Sequence, residues 1–345
     1  MNDYPEYFSN EEELEEALSR PSKELVKMIQ RLDGDIIFLG VAGKMGVSMA
    51  RMAKRAIKEA KINKRVIGVS RFSSQEHRTF LEESGIETIK GDMLDMEFIK
   101  NLPNVKNVFY LAGNKFGTEG NEPFTWAMNS YLPGLIMEKF KNSRIVAFST
   151  GCVYPLVKIN SGGSKESDKP DPIGEYAQSC LGRERLFEYG SVKNNTPVTI
   201  IRLNYAVEMR YGVLVDIASK VHKNESIDVT MGYANIIWQG DANDMILRSI
   251  MLSSSPAFHI NVSGSEQISV AYVARTIGKL LDKKVKLKGA ETDTALLVNV
   301  SKCEHLLGTT HVKPNKIVAW TANWIENNMP LLGKATHFEV RDGKY

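Results

Sequence analysis

DIIFLGVAGKMGVSMARMAKRA, residues 35–56, is the stretch that decides the fold. An apolar run ends in a glycine turn, and an amphipathic helical pattern follows. The glycines stand at Gly40, Gly43 and Gly46. This GxxGxxG spacing lets backbone come close to a pyrophosphate. A helix that starts there offers it unpaired N–H groups and the positive end of its dipole. Glycine also serves ordinary tight turns. The strand–helix alternation downstream is what favours a dinucleotide.

Working outward, short apolar runs rich in Val, Ile and Phe predict strands at 35–40, 65–70, 86–89, 107–112, 144–149 and 197–202. Helical patterns fall between them at 44–60, 74–83, 122–141 and 173–190. This order predicts an α/β fold, a Rossmann-like doubly wound parallel sheet. Residues 160–173 are rich in Gly, Ser, Lys, Asp and Pro and read as an exposed loop. After about residue 203 the pattern loosens. Helices are expected at 213–222, 242–253, 268–281 and 314–327, and strands near 226–230, 235–239 and 257–262. These pieces predict a smaller C-terminal α/β substrate lobe over the carboxyl ends of the strands.

The expected organisation is a helical extension at 1–33, a dinucleotide-binding domain at 34–203 and a mainly substrate-binding lobe at 204–345, with the chain free to cross between lobes. In the extension, Ser9 is placed to cap a helix over 11–18, and Ser22 a second one through Leu32. Covering a sheet edge and self-association are both open to it. The tail THFEVRDGKY either docks or frays.

Composition narrows the function classes. The 345 residues are 43% hydrophobic and carry a net charge of +3 without a basic block, so nucleic acid is not the expected partner. No run of about 18 apolar residues occurs, so no membrane span is expected. The acidic N-terminus does not read as a secretory signal. Three cysteines, Cys152, Cys180 and Cys303, fit a reducing, cytoplasmic setting and lack metal-ligand spacing, so no metal is expected.

Several further motifs stand in order along the chain: GD at 91–92, LAG at 111–113, Asn129, STGCVY at 149–154, YAQSC at 176–180 and Arg202. With GVAGKMG at 40–46 they make residues 35–262 resemble the extended short-chain dehydrogenase/reductase family, which holds the NAD-dependent epimerases and dehydratases of nucleotide sugars. The resemblance implies a cofactor site drawn from Gly40, Gly43, Lys44, Met45 and Gly46 in the turn, and from Ser70, Arg71, Asp92 and Met93 around the adenosine. Leu111, Ala112 and Gly113 would lie beneath the nicotinamide ribose, and Asn129, Tyr176 and Cys180 complete the set. Where NAD-binding folds place an acid after the second strand, this chain has Ser70 followed by Arg71. A guanidinium matches a 2′-phosphate, so NADP is favoured over NAD. Arg71 as a plain surface charge is the other reading. Asp92 either bonds the adenine amine, as the resemblance implies, or caps a helix.

The resemblance also implies catalysis by Thr150 and Tyr176, with substrate contacts from Ser149, Thr150, Gly151 and Asn204; Arg210 either grips a substrate carboxylate or forms a surface ion pair, and Lys115, by its strand-end position, is a further substrate contact. The family pattern pairs its tyrosine with a lysine four residues on; here Cys180 stands there. A free tyrosine titrates near 10, and bringing it to about 7 takes roughly 4 kcal/mol. A neutral thiol does not supply that. Lys115 is the replacement cation expected first, from its place after the fourth strand. Arg183 is expected second, because an outward orientation would remove it. A Tyr176 that stays protonated and a cofactor-binding protein with little activity are the other outcomes.

The expected function is NAD(P)-dependent hydride transfer at a carbinol carbon of a carbohydrate or sugar acid. The alternatives are a nucleotide-sugar epimerase or dehydratase with tightly held NAD, and a non-catalytic dinucleotide sensor or scaffold. The apolar faces of helices 122–141 and 173–190 serve either a homodimer or the monomer core.

Overall fold

The computed structural model describes residues 4–115 and 120–343. Seven parallel strands form the central sheet: β1 (Ile36–Leu39), β2 (Val66–Ser70), β3 (Glu87–Lys90), β4 (Asn107–Tyr110), β5 (Arg144–Thr150), β6 (Val198–Leu203) and β7 (Phe258–Val262). Their spatial order is β7-β6-β5-β4-β1-β2-β3. Strand order reverses between β1 and β4, and a crevice opens there at the carboxyl ends of the strands. The expected Rossmann-like sheet is thus the observed one. β1, β4 and most of β2 and β5 are buried on both faces, which explains why they read as unbroken apolar runs.

The strand expected at 257–262 in the small lobe instead extends the main sheet, as β7 beside β6. The chain returns to the first lobe after the second has begun.

Helices cover both faces. On one lie α2 (Lys23–Arg31), α3 (Gly46–Glu59), α10 (Gln239–Arg248) and α12 (Ser301–Leu307). On the other lie α5 (Met96–Asn101), α7 (Leu132–Lys139) and α8 (Gly174–Asn194). The second lobe packs α1 (Glu11–Leu18), α9 (Val213–His222), α11 (Val270–Leu280) and α13 (Pro314–Glu326) around Trp238, Trp320 and Trp324.

The N-terminal extension is stitched into both cores. Phe8 and Tyr4 pack on Trp238 and Trp320, while Leu25 and Ile29 join the core on the sheet. Ser22 caps α2 as expected, its hydroxyl accepting from the Leu25 amide at 3.0 Å. The cap of α1 is Asn10 rather than Ser9: its Oδ1 accepts from the Glu13 amide at 2.9 Å, and Asn is at least as good a cap as Ser. The polar tail docks: Phe338 is buried and the Thr336 hydroxyl donates to Asp216 at 2.5 Å. Lys344 and Tyr345 of that stretch lie outside the described residues.

The helix expected over 122–141 is interrupted. It begins as α6 (Glu122–Trp126), widens into a π turn over Ala127–Tyr131, and resumes as α7. Pro133 explains part of this, since it has no N–H to give the carbonyl of Asn129, four residues earlier. Among the described residues no helix is long and apolar enough to cross a membrane.

Candidate active site

A cavity of about 260 Å³ opens where strand order reverses. Its walls come from the turn after β1, the loop after β4, the end of β5, the face of α8 and the start of α9.

The glycine turn is built by successive short bonds: Gly43 N–H to Gly40 carbonyl, and Gly46 N–H to Gly43 carbonyl, each 3.1 Å. Gly40 takes φ of +90°, and a Cβ there would sit 2.7 Å from the Ala112 nitrogen. The turn therefore lies directly against the loop after β4. At Gly46 a Cβ would meet the Val41 carbonyl oxygen at 2.3 Å. α3 then begins at Gly46 with no side-chain cap from Met45, the kind of helix start that can present amides to an anionic ligand. These features fit a dinucleotide pyrophosphate. Gly46→Ala should therefore destabilise the protein by about 1–3 kcal/mol in urea unfolding. It should also abolish dinucleotide binding in calorimetry; unaltered binding would detach this turn from the ligand.

Lys44 faces the open cleft. Its Nζ donates to the Ala206 carbonyl at 2.6 Å and lies 4.1 Å from the centre of the Tyr211 ring. Desolvation pushes its pKa down, Glu208 opposes this, and Lys115 adds to it. Solvent in the cleft tempers the push. Lys115 also lines the cavity, and burial lowers its pKa as well. Met45, Leu111 and Gly113 line the wall beside them.

Opposite the turn stand the proposed reacting groups. Thr150 ends β5, and its Oγ1 accepts from the Cys152 amide at 3.1 Å. Thr150 and Tyr176 line the same cavity, and the Thr150 hydroxyl favours ionisation of the Tyr176 phenol, which lies one turn before Cys180 on α8. Burial pushes the phenol well above its usual value. It also raises the Cys180 thiol to about 11, so that thiol is neutral near pH 7.

Ser149 is committed elsewhere. Its hydroxyl donates to Glu184 at 2.5 Å, and Glu184 is paired with Arg202 at 2.7 Å. Arg202 also donates to the Tyr154 hydroxyl at 2.7 Å. This network is buried beneath the cavity and sets the height of β5 and α8. Gly151 packs under Asn204, whose Nδ2 donates to Asn235 at 3.1 Å.

Asn129 sits in the π turn with its side chain fully engaged. Oδ1 accepts from the Asn114 amide at 2.8 Å and from Arg183 at 2.6 Å; Nδ2 donates to the Asn114 carbonyl and the Ser179 hydroxyl. It holds the loop after β4 rather than facing the cavity.

Arg210 does not line the cavity. It pairs with Glu208, with Glu15 at 2.6 Å and with Glu11 at 3.2 Å, tying the second lobe to the N-terminal extension. The sequence suggested a substrate grip; these carboxylates, two of them distant in sequence, hold it instead. Arg183 is the reverse case: ranked second to Lys115 because an outward orientation would remove it, it is buried and reaches the cavity. Ser70 is half-buried at the end of β2 and Arg71 is exposed just beyond it. Asp92 is exposed and closes a turn on the Leu94 amide, and Asp95 is the residue that caps α5. Met93 is buried in the sheet core.

Lys44, Lys115 and Arg183 line the cavity, and no carboxylate does so among the described residues. Such a cleft attracts anionic ligands.

No family model and no curated protein sequence matches the chain. Solved structures do. DesIV, a dTDP-glucose 4,6-dehydratase from Streptomyces venezuelae with NAD bound, superposes with a TM-score of 0.73 at 15% identity, over 85% of this chain and 97% of that one. UDP-glucuronic acid 4-epimerase from Bacillus cereus with NAD gives 0.68 at 17%, over 85% and 96%. Pal from Bacillus thuringiensis gives 0.70 at 19%, over 85% and 99%. At these identities the likeness is one of fold: a Rossmann-like α/β fold that, in the first two of these relatives, carries NAD.

Proposed function

We propose that this protein is a nicotinamide dinucleotide-dependent enzyme of sugar chemistry, acting at a carbinol carbon. The observation that carries this is the meeting, across one cleft, of the glycine turn with Thr150 and Tyr176. The amides at the start of α3 would hold the pyrophosphate, Lys44 and Met45 would flank it, and Leu111 to Gly113 would support the nicotinamide ribose. The bound nicotinamide supplies the acceptor or donor of hydride. Thr150 orients the substrate oxygen, and the Tyr176 hydroxyl takes or returns the proton of that oxygen. Residues 34–203 serve the dinucleotide in this reading, and 204–345 mainly the sugar. Exposed Tyr131, Tyr189 and Val192 support pairing of two chains along the α7–α8 side.

Within this chemistry, epimerisation or dehydration of a nucleotide sugar is better supported than oxidation of a free sugar acid. The dehydratase and epimerase similar in fold are named for such reactions. A cleft lined by Arg183 and two lysines, with no carboxylate among the described lining residues, also suits a substrate bearing a diphosphate. The test is incubation with UDP-glucose, UDP-glucuronic acid and dTDP-glucose, followed by NMR. An epimerised or dehydrated sugar without net accumulation of reduced cofactor is expected. Bound dinucleotide with no conversion of any sugar would instead favour the sensor or scaffold reading.

Cofactor choice turns on Arg71. If it clamps a 2′-phosphate, Arg71→Ala should weaken NADP binding about ten- to a hundredfold and leave NAD binding unaltered. Equal effects on both, or none, would remove Arg71 from cofactor selection and leave NAD.

A further inference from the structure

Arg183, like Lys115, is a charged group in this site to which the reading above gives no task. It follows Tyr176 by seven residues on α8, two helical turns along the same face. Only 6% of it is exposed, yet it reaches the cavity floor.

Its guanidinium is held by neutral acceptors alone. Nη1 donates to the Phe148 carbonyl at 2.9 Å, Nη2 to Asn129 Oδ1 at 2.6 Å, and Nε to the Asn129 carbonyl at 3.3 Å. That last carbonyl is the one to which Pro133, four residues on, has no N–H to give. The neighbouring carboxylate, Glu184, turns to Arg202 and Ser149 instead. Among the described residues no ion pair joins Arg183 to an acid. A buried cation without a counter-anion is costly, and the surroundings are shaped to admit it. A Cβ on Gly113 would lie 2.4 Å from Nη2, so the glycine there makes room for the guanidinium.

We propose that Arg183 supplies the fixed positive charge of this site and acts through Tyr176, favouring the phenolate from one turn beyond the position that Cys180 occupies. The inference rests on Tyr176 being the proton-carrying group. Arg183 is a positioning residue in this account, since it works on the reacting atoms through the phenol.

The groups facing Tyr176 agree with this. Burial raises its pKa; Cys180 on the same helix and Cys152 after β5 oppose ionisation; Arg183 and the Thr150 hydroxyl favour it. Cys180 stays a thiol between the two, so it does not cancel the guanidinium. Lys44 and Lys115 line the same cavity from the turn after β1 and the loop after β4.

The test is the titration of difluorotyrosine placed at position 176, followed by fluorine NMR in the full chain. Arg183→Gln keeps a hydrogen-bonding amide and loses the charge; Arg183→Lys keeps the charge. The midpoint should rise by about one unit or more in Arg183→Gln, a tenfold loss of ionisation, and return most of the way in Arg183→Lys. Should Arg183→Gln not fold, Asn129→Asp pairs the guanidinium with a carboxylate and should raise the midpoint in the same sense. Equal midpoints in the wild type and in whichever of these two charge-cancelling variants folds would overturn the proposal. This readout is separate from the function itself. A Tyr176→Phe protein with undiminished turnover would refute the catalytic reading and leave the titration result standing.

Discussion

Tyr176→Phe should lower turnover by about 10²–10⁴-fold on any substrate the protein converts, the usual contribution of a positioned acid–base group. Dinucleotide binding should stay close to the wild type, because the turn at 40–46 and the loop at 111–113 are untouched. The variant loses one hydroxyl and keeps the ring that packs against the core on the sheet, so the unfolding midpoint should move little. Single-turnover measurement on the cofactor-loaded protein checks this. A variant with normal turnover would show that the proton travels elsewhere, with Lys115 the next group to test.

The second large effect is structural. Arg202→Leu strands Glu184, which is fully buried and left with the Ser149 hydroxyl at 2.5 Å and the His259 ring at 3.9 Å. Removing one member of a buried ion pair costs about 3–5 kcal/mol, because the survivor keeps its charge without compensation. Urea unfolding should show that loss. The double variant Arg202→Leu, Glu184→Leu should recover much of it, since no charge is then buried. If the single variant loses under about 1 kcal/mol, the network is solvated and does not set the height of β5 and α8. Arg202 belongs to the motifs by which the sequence resembles a catalytic family, yet its contacts are those of a support beneath the reacting groups.

The contrast between Arg183 and Arg210 shows what the sequence could carry. The turn at Gly40–Gly46 is legible because its constraints are local: a positive φ, a close backbone approach and a helix start all fall within seven residues. The alternation of strands is legible for the same reason. A guanidinium's destination is decided by partners far away in sequence. Glu11 and Glu15 claim Arg210 from about two hundred residues upstream, and Asn129 claims Arg183 across 54. One signal was available for Arg183: Pro133 four residues after Asn129 marks a carbonyl in need of a donor. β7 was misplaced for a related reason. The run at 257–262 reads as a strand and is one over Phe258–Val262, but parallel pairing with β6 spans a whole lobe and leaves no trace in local pattern. The π turn at Ala127–Tyr131 was read through as plain helix, since its period differs too little from the α pattern to show in side-chain spacing.

The most direct test of the account is calorimetric titration of protein stripped of nucleotide with NAD and with NADP, beside Gly46→Ala. The account predicts one site per chain for at least one dinucleotide, lost in the variant. Binding of neither, by folded protein, would contradict the assignment of the Gly40–Gly46 turn and with it the chemistry built on Tyr176.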